Sequence, residues 1–238
     1  MRITSGILKG RTFTVPKIGV RPTTERTREA IFSTLQAYVP EARVLDLFAG
    51  AGGLGLEAWS RGAAHVTAVE KVSRTWKILQ ENFQALDLSD SESAFGASQK
   101  KRAGTSGNNL QKNFQTLEPT ALGHSASRRK GDLSFQALEN DKGAGSACLG
   151  GYEVVRADVY DYLKRPVGPF DLIFADPPYD EVDLPKLLDV LGDALAPEGL
   201  LVFEMHKRDS YTLPDEWTSL KEKKYGSTKV IFLERTHE

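Results

Sequence analysis

The run Asp176-Pro177-Pro178-Tyr179 combines residue types that could steer a planar base amine. It follows Phe170-Asp171-Leu172-Ile173-Phe174-Ala175, whose near-continuous apolar character is that of a buried strand. The tetrad would then hang from the carboxyl end of that strand, where open α/β sheets place their active sites. An exocyclic amine on a nucleobase is a poor nucleophile because its lone pair is delocalised into the ring. Asp176 can accept one of its N–H groups and a proline-loop carbonyl a second, while Pro177 and Pro178 stiffen the backbone that carries both acceptors. Tyr179 offers a flat face for the base, worth about 1–3 kcal/mol and able to steady a base lifted from its stack. No strong base is required, since the amine acidifies as a methyl group arrives. The competing reading is a tight Pro-Pro turn beside a buried tyrosine, so the tetrad alone is moderately specific.

A second constellation lies upstream. Asp46-Leu47-Phe48-Ala49-Gly50-Ala51-Gly52-Gly53-Leu54-Gly55 follows a strand and opens a helix, the context in which a glycine-rich turn means nucleotide binding. Glu70, with Lys71 beside it, ends the next strand, from which a carboxylate can accept from both ribose hydroxyls. Asp158 is placed to accept from an adenine amine and Val159 to pack on the ring, although Asp158 also suits a helix N-cap. Gly50, Gly52 and Gly55 spell the dinucleotide fingerprint, with Glu70 at the spacing of a NAD ribose partner, so a dehydrogenase is the first rival. Two features favour S-adenosylmethionine instead. Asp46 sits inside the strand end, where it can face the donor's cationic amino end, and a nicotinamide enzyme has no use for the Asp176 tetrad. Asp46, Phe48, Ala49, Gly50, Gly52, Gly55, Glu70, Lys71, Asp158 and Val159 are the expected cofactor residues.

The elements that must position these residues follow from periodicity. Strands and helices alternate from Val44 to Leu86 and resume from Tyr152, predicting a Rossmann-like, mostly parallel seven-stranded sheet with helices on both faces. Expected strands span 44–48, 65–70, 152–157, 170–175 and 199–204; expected helices span 54–60, 73–86, 160–164 and 184–195. An antiparallel pair, 218–223 and 228–234, would close the sheet edge. Upstream, Ile31, Phe32, Leu35, Tyr38 and Val39 recur at helical spacing until Pro40. Residues 2–5 and 12–15 read as the strands of a small hairpin or extended arm. The domain plan is therefore a basic arm over 1–20 and a catalytic domain over 21–238, interrupted at about 87–151 by a Ser-, Gly- and Asn-rich insertion without sustained period, expected to be disordered. Echoes such as Asn82-Phe83-Gln84-Ala85-Leu86 and Asn113-Phe114-Gln115-Thr116-Leu117 are too few and too irregular for a solenoid.

Charge adds a partner class. The net charge is -1, so nucleic-acid contact requires a local patch. Residues 1–28 supply one: Arg2, Lys9, Arg11, Lys17, Arg21, Arg26 and Arg28 stand against the single acid Glu25. A lone cysteine, Cys148, excludes an intrachain disulfide, and four scattered histidines suggest no metal site. No stretch is long and apolar enough for a membrane helix and no apolar leader is evident, so a cytoplasmic protein is expected; a monomer is the separate working expectation.

With these residues in place, the chain resembles the bacterial 16S ribosomal RNA guanine-N2 methyltransferases of the RsmD family. The resemblance runs through Arg2-Ile3, Gly6, Lys9-Gly10-Arg11, the run Arg21-Pro22-Thr23-Thr24-Glu25-Arg26-Thr27-Arg28-Glu29-Ala30-Ile31-Phe32, Leu45 to Gly50, Leu56-Glu57-Ala58, Ser60 to Ala63, and Asp176 to Tyr179. It implies methylation of the exocyclic amine of a guanine in 16S rRNA, at position 966, on RNA or an assembling 30S particle. It also implies an RNA-binding set of Arg2, Lys9, Arg11, Arg21, Thr23, Arg26 and Arg28, in which the basic arm grips phosphates and Arg21 to Thr24 border the cofactor and base pocket, with ion pairing of Arg26 and Arg28 to Glu25 and Glu29 as the alternative. The insertion departs from the family pattern by lengthening one connection without removing a motif residue. Two rivals remain: an adenine-N6 or other base-amine methyltransferase acting on DNA or other RNA, where the lack of a target-recognition domain counts against DNA, and a non-catalytic RNA-binding assembly factor.

Overall fold

The computed structural model describes residues 1–16, 23–87, 149–178 and 183–236. Tyr179, Arg21 and most of the expected insertion lie outside the described residues.

Parallel strands buried on both faces read as near-continuous apolar runs, and β1 (Arg43–Leu47), β2 (His65–Glu70) and β4 (Phe170–Ala175) are buried along all but one position each. With β3 (Gly151–Arg156), β5 (Leu195–His206), β6 (Trp217–Tyr225) and β7 (Thr228–Arg235), they form among the described residues a seven-stranded sheet. The order is β3-β2-β1-β4-β5-β7-β6. The first five strands are parallel, and β7 enters antiparallel between β5 and β6. The chain thus leaves β1 first toward β2 and later toward β4, which opens a crevice at the carboxyl ends of these central strands.

Alternation sends neighbouring side chains to opposite faces. Leu45, Leu47, Ile173, Ala175, Leu201 and Phe203 pack with α4 (Val159–Leu163) and α5 (Leu184–Leu191). On α5 the buried residues Leu184, Leu187, Leu188 and Leu191 recur at the spacing of one helical face. The opposite face of the sheet meets α1 (Glu25–Thr34), α2 (Gly53–Ser60) and α3 (Ser73–Leu86), with the Phe32 and Phe174 rings 5.4 Å apart. Asp46 shares this second face and accepts from the Gly55 N–H of α2 at 2.8 Å.

Strands β2 and β4 and helix α3 match the expected bounds, and most others shift by a residue or two. The apolar spacing from Ile31 to Val39 is realised differently. Helix α1 stops at Thr34, and Leu35 and Val39 are buried from turns, with the Tyr38 and Val39 N–H groups donating to the Leu35 carbonyl. The helix expected over 184–195 ends at Leu191, because a 3-10 turn over Gly192–Ala194 releases Leu195 to pair with Phe170. The N-terminal arm has one β-bridge, Arg2 with Thr12, in place of two strands. It is anchored by side chains instead. Glu57 on α2, 1% exposed, accepts from the Thr4 N–H, the Thr4 hydroxyl, the Ser5 N–H and Arg61. Gly6 (φ +81°) lies so close to the Ser60 carbonyl that no side chain fits there.

Candidate active site

The turn after β1 is shaped for close backbone approach. Phe48 (φ 57°) and Gly50 (φ 56°) are both left-handed, a conformation that costs a non-glycine residue of order 1 kcal/mol and that clusters at ligand sites. Gly52, with φ 88°, caps α2. A Cβ on Gly55 would stand 2.9 Å from Asp46 Oδ2, so the glycine lets the first turn of α2 donate directly to that carboxylate. Gly52 and Gly55 thus shape the turn from behind, while Asp46, Phe48, Ala49 and Gly50 line a cavity of about 1060 Å³.

Five carboxylates border this cavity, from the carboxyl ends of five parallel strands: Asp46 (β1), Glu70 (β2), Asp158 (after β3), Asp176 (after β4) and Glu204 (β5). Glu70 accepts from the Gly50 N–H at 3.0 Å and the Val72 N–H at 2.7 Å. Its burial outweighs these bonds and raises its carboxyl above the usual range. Asp46 is 1% exposed. Burial pushes it up to about 7; the Gly55 N–H pulls it back, and the charges of Asp176 and Glu70 add to the rise. Asp158 behaves oppositely. A hydrogen bond from Lys71, whose Nζ lies 3.0 Å away, holds it below the usual range, aided by the Tyr160 and Asp161 N–H groups that it caps. Its cap role and its cavity position coexist.

Pro177, Pro178, Lys71 and Val159 also line the cavity. Thr23 and Thr24 line the cavity as expected, and the Thr23 hydroxyl lies 2.7 Å from Asp176 Oδ2, so it joins the carboxylate of the tetrad. Of the basic residues, Arg26 is exposed at the cavity rim, and Lys9 and Arg11 are exposed on the arm. Arg2 is exposed and its Nε lies 3.2 Å from Glu25. Arg28 corrects the expectation of a phosphate contact. It is 0% exposed, donates to the Arg2 carbonyl at 2.7 Å and has its Nε 3.9 Å from Glu57, so its cation stabilises the anchored arm. Its close ion pair is with Glu57 on α2, while Glu25 and Glu29, the alternative partners on its own helix, act on it only through their charges.

Glu204 and the β6–β7 turn, residues 224–228, line the same cavity and were not among the expected site residues. Glu204 carried a usable signal, since it ends the apolar run Leu200-Leu201-Val202-Phe203 as Asp46 and Glu70 interrupt theirs. The turn carried none, because only the antiparallel insertion of β7 brings it there. Among the described residues, no helix is long and apolar enough to cross a membrane and no group of three His, Cys, Asp or Glu could hold a metal ion.

The chain matches the family model described as conserved hypothetical protein 95 over residues 1–119 and 136–234. It is 30% identical to ribosomal RNA small subunit methyltransferase D of Haemophilus influenzae over 231 residues, covering 95% of this chain and 89% of that protein. It is 28% identical to the protein of the same name from Escherichia coli over 239 residues, covering 99% and 90%. The solved structure of yhhF from Escherichia coli superposes with a TM-score of 0.65 at 26% identity, covering 100% of this chain and 99% of that one.

Proposed function

Because the chain belongs to the conserved hypothetical protein 95 family, which is the RsmD family of ribosomal RNA methyltransferases, we propose that it methylates the exocyclic N2 amine of a guanine in 16S rRNA. The methyl donor in this reading is S-adenosylmethionine, and the substrate is the RNA or an assembling small-subunit particle. The domain plan that goes with it is a basic arm over 1–20 on a catalytic domain interrupted at about 87–151.

The observation that carries the proposal is the opening of Asp46, Glu70, Asp158 and Asp176-Pro177-Pro178 onto one cavity. The residues fit the donor. A cationic ligand offsets the cost of ionising Asp46 where burial disfavours its charge. Glu70, at the end of β2, presents a carboxylate to ribose hydroxyls, and Asp158 with Val159 presents an acceptor and an apolar surface to an adenine. The glycine turn admits the ligand against the backbone. When bound, S-adenosylmethionine supplies an electrophilic methyl group.

The remaining chemistry belongs to the chain. Asp176 accepts an N–H of the target amine and the proline-stiffened loop supplies a second acceptor, which orients the nitrogen and redirects its lone pair. Asp176 then takes the proton lost by the amine or passes it to water. Arg26, Lys9 and Arg11 offer exposed cations to RNA phosphates. Labelled S-adenosylmethionine and unmodified small-subunit particles test the reading directly, with the methyl mapped by mass spectrometry. Label on guanine N2 in 16S rRNA supports it; label in adenine or in DNA redirects it; none refutes it.

A further inference from the structure

Glu204 has no part in the chemistry above, yet it is 2% exposed and faces the same cavity. One hydroxyl joins it to Asp176: Thr23 Oγ1 lies 2.7 Å from Asp176 Oδ2 and 3.2 Å from Glu204 Oε1. A threonine hydroxyl carries one proton and can also accept. It can therefore satisfy one of two carboxylates, and the second contact is attractive only if that carboxyl brings a proton of its own. The shorter distance places the Thr23 proton on Asp176, which leaves Glu204 as the donor to Thr23.

The surroundings agree. Asp176 faces Glu204 from the end of β4 and Asp46 from β1, both acidic. On β7 the residue opposite is Val230, and the neighbouring Lys229 gives its ammonium to the Asp209 carbonyl at 2.6 Å, 5.2 Å from the centre of the Tyr211 ring. Among the described residues, the cations that line the cavity are Arg26, Lys71, Arg74 and Lys224, all exposed, and Arg28, which lies against Glu57. Burial, reinforced by the charges of Asp176 and Asp46, drives the Glu204 carboxyl well above the usual range, more than offsetting the pull that a Thr23 hydroxyl donating to it would exert.

We propose that Glu204 is a positioning residue for methyl transfer: its carboxyl donates to Thr23 Oγ1, committing the Thr23 proton to Asp176 Oδ2 and holding the Asp176 carboxylate in one orientation. The inference rests on the reading of this cavity as a methyl-transfer site. Once Glu204 loses its proton, Thr23 meets two carboxylates with one proton and its hold on Asp176 is shared. The wild-type rate should therefore fall as pH rises through the Glu204 ionisation.

The test compares wild type, Glu204→Gln and Glu204→Ala on unmodified small-subunit particles across pH, with thermal melting as the check on folding. The glutamine amide donates to Thr23 but does not titrate. Glu204→Gln should keep kcat within about threefold at neutral pH and lose the alkaline decline, whereas Glu204→Ala should lose about tenfold or more in kcat with KM little changed. Infrared spectroscopy at neutral pH should show neutral-carboxyl absorption in the wild type that Glu204→Gln reduces by one carboxyl's worth, with the Asp46 contribution remaining. An alkaline decline that persists in Glu204→Gln, a wild-type kcat in Glu204→Ala, or a band unaltered by the glutamine would each overturn the proposal. Should the wild-type enzyme transfer no methyl at all, the functional reading fails, while the infrared band still decides whether Glu204 carries the proton.

Discussion

Asp46 joins burial to function at the level of a single side chain. Its carboxyl is pushed up to about 7 by burial, so near neutral pH a large share of the free protein holds it protonated. A cationic donor binds the ionised form, so donor affinity should rise with pH and level off above the Asp46 ionisation. Between pH 6 and 8 the tightening should be about tenfold, the value for one proton released at a group titrating near 7. Asp46→Asn should bind more weakly and show a flat profile. Calorimetric titration of S-adenosylmethionine across this range checks it, and a flat wild-type profile would contradict it. Asp158, after the half-exposed β3, was legible from the strand-to-helix alternation; Asp46, Glu70 and Asp176 were legible as candidates because each stands at or beside the carboxyl end of a mostly apolar strand, where a charge has no packing reason to be. Glu204 carried the same mark. Arg28 was misread because local spacing shows a cation near Glu25 and Glu29 but not the Glu57 carboxylate that α2 brings to it.

Elements position these groups, and the least legible was the N-terminal arm. Its alternation suggested two strands, yet the backbone makes one bridge and the attachment runs through Glu57, where Thr4, Ser5 and Arg61 donate and Arg28 lies close by. Such a hub cannot be read from periodicity, since it depends on residues about fifty positions apart meeting at one helix. Removing one partner of a buried charge pair costs about 3–5 kcal/mol. Glu57→Ala should therefore lower the melting temperature by on the order of 10 °C in a chain of this size. Circular dichroism melting provides the check, and an unchanged midpoint would show that the arm is held otherwise. Helix α1 teaches a related lesson: Leu35 and Val39 were correctly expected in the core, but periodicity could not show that turns rather than helix deliver them.

The whole molecule combines a near-neutral net charge of -1 with an acidic cavity and an exposed basic margin. The sheet class was legible, because apolar strands alternating with helices admit few right-handed parallel arrangements. The strand order was not, nor was the antiparallel entry of β7 beside β5, which carries residues 224–228 to the cavity. Among the described residues expected at the RNA, Arg28 is buried and Arg2 lies close to Glu25, which leaves Lys9, Arg11 and Arg26 as exposed cations for RNA. Replacing all three with Ala should weaken particle binding and reduce the salt dependence by about two to three phosphate contacts' worth of slope, with donor affinity unchanged. Binding measured over a salt series tests this, and an unaltered slope would move the RNA interface elsewhere.

The most direct measurement is single-turnover methyl transfer to unmodified small-subunit particles by Asp176→Ala, beside calorimetric binding of S-adenosylmethionine to the same variant. The account predicts that donor affinity stays within about threefold while transfer slows by at least about a hundredfold, as befits loss of a group that handles the amine and its proton. Transfer at the wild-type rate would contradict it.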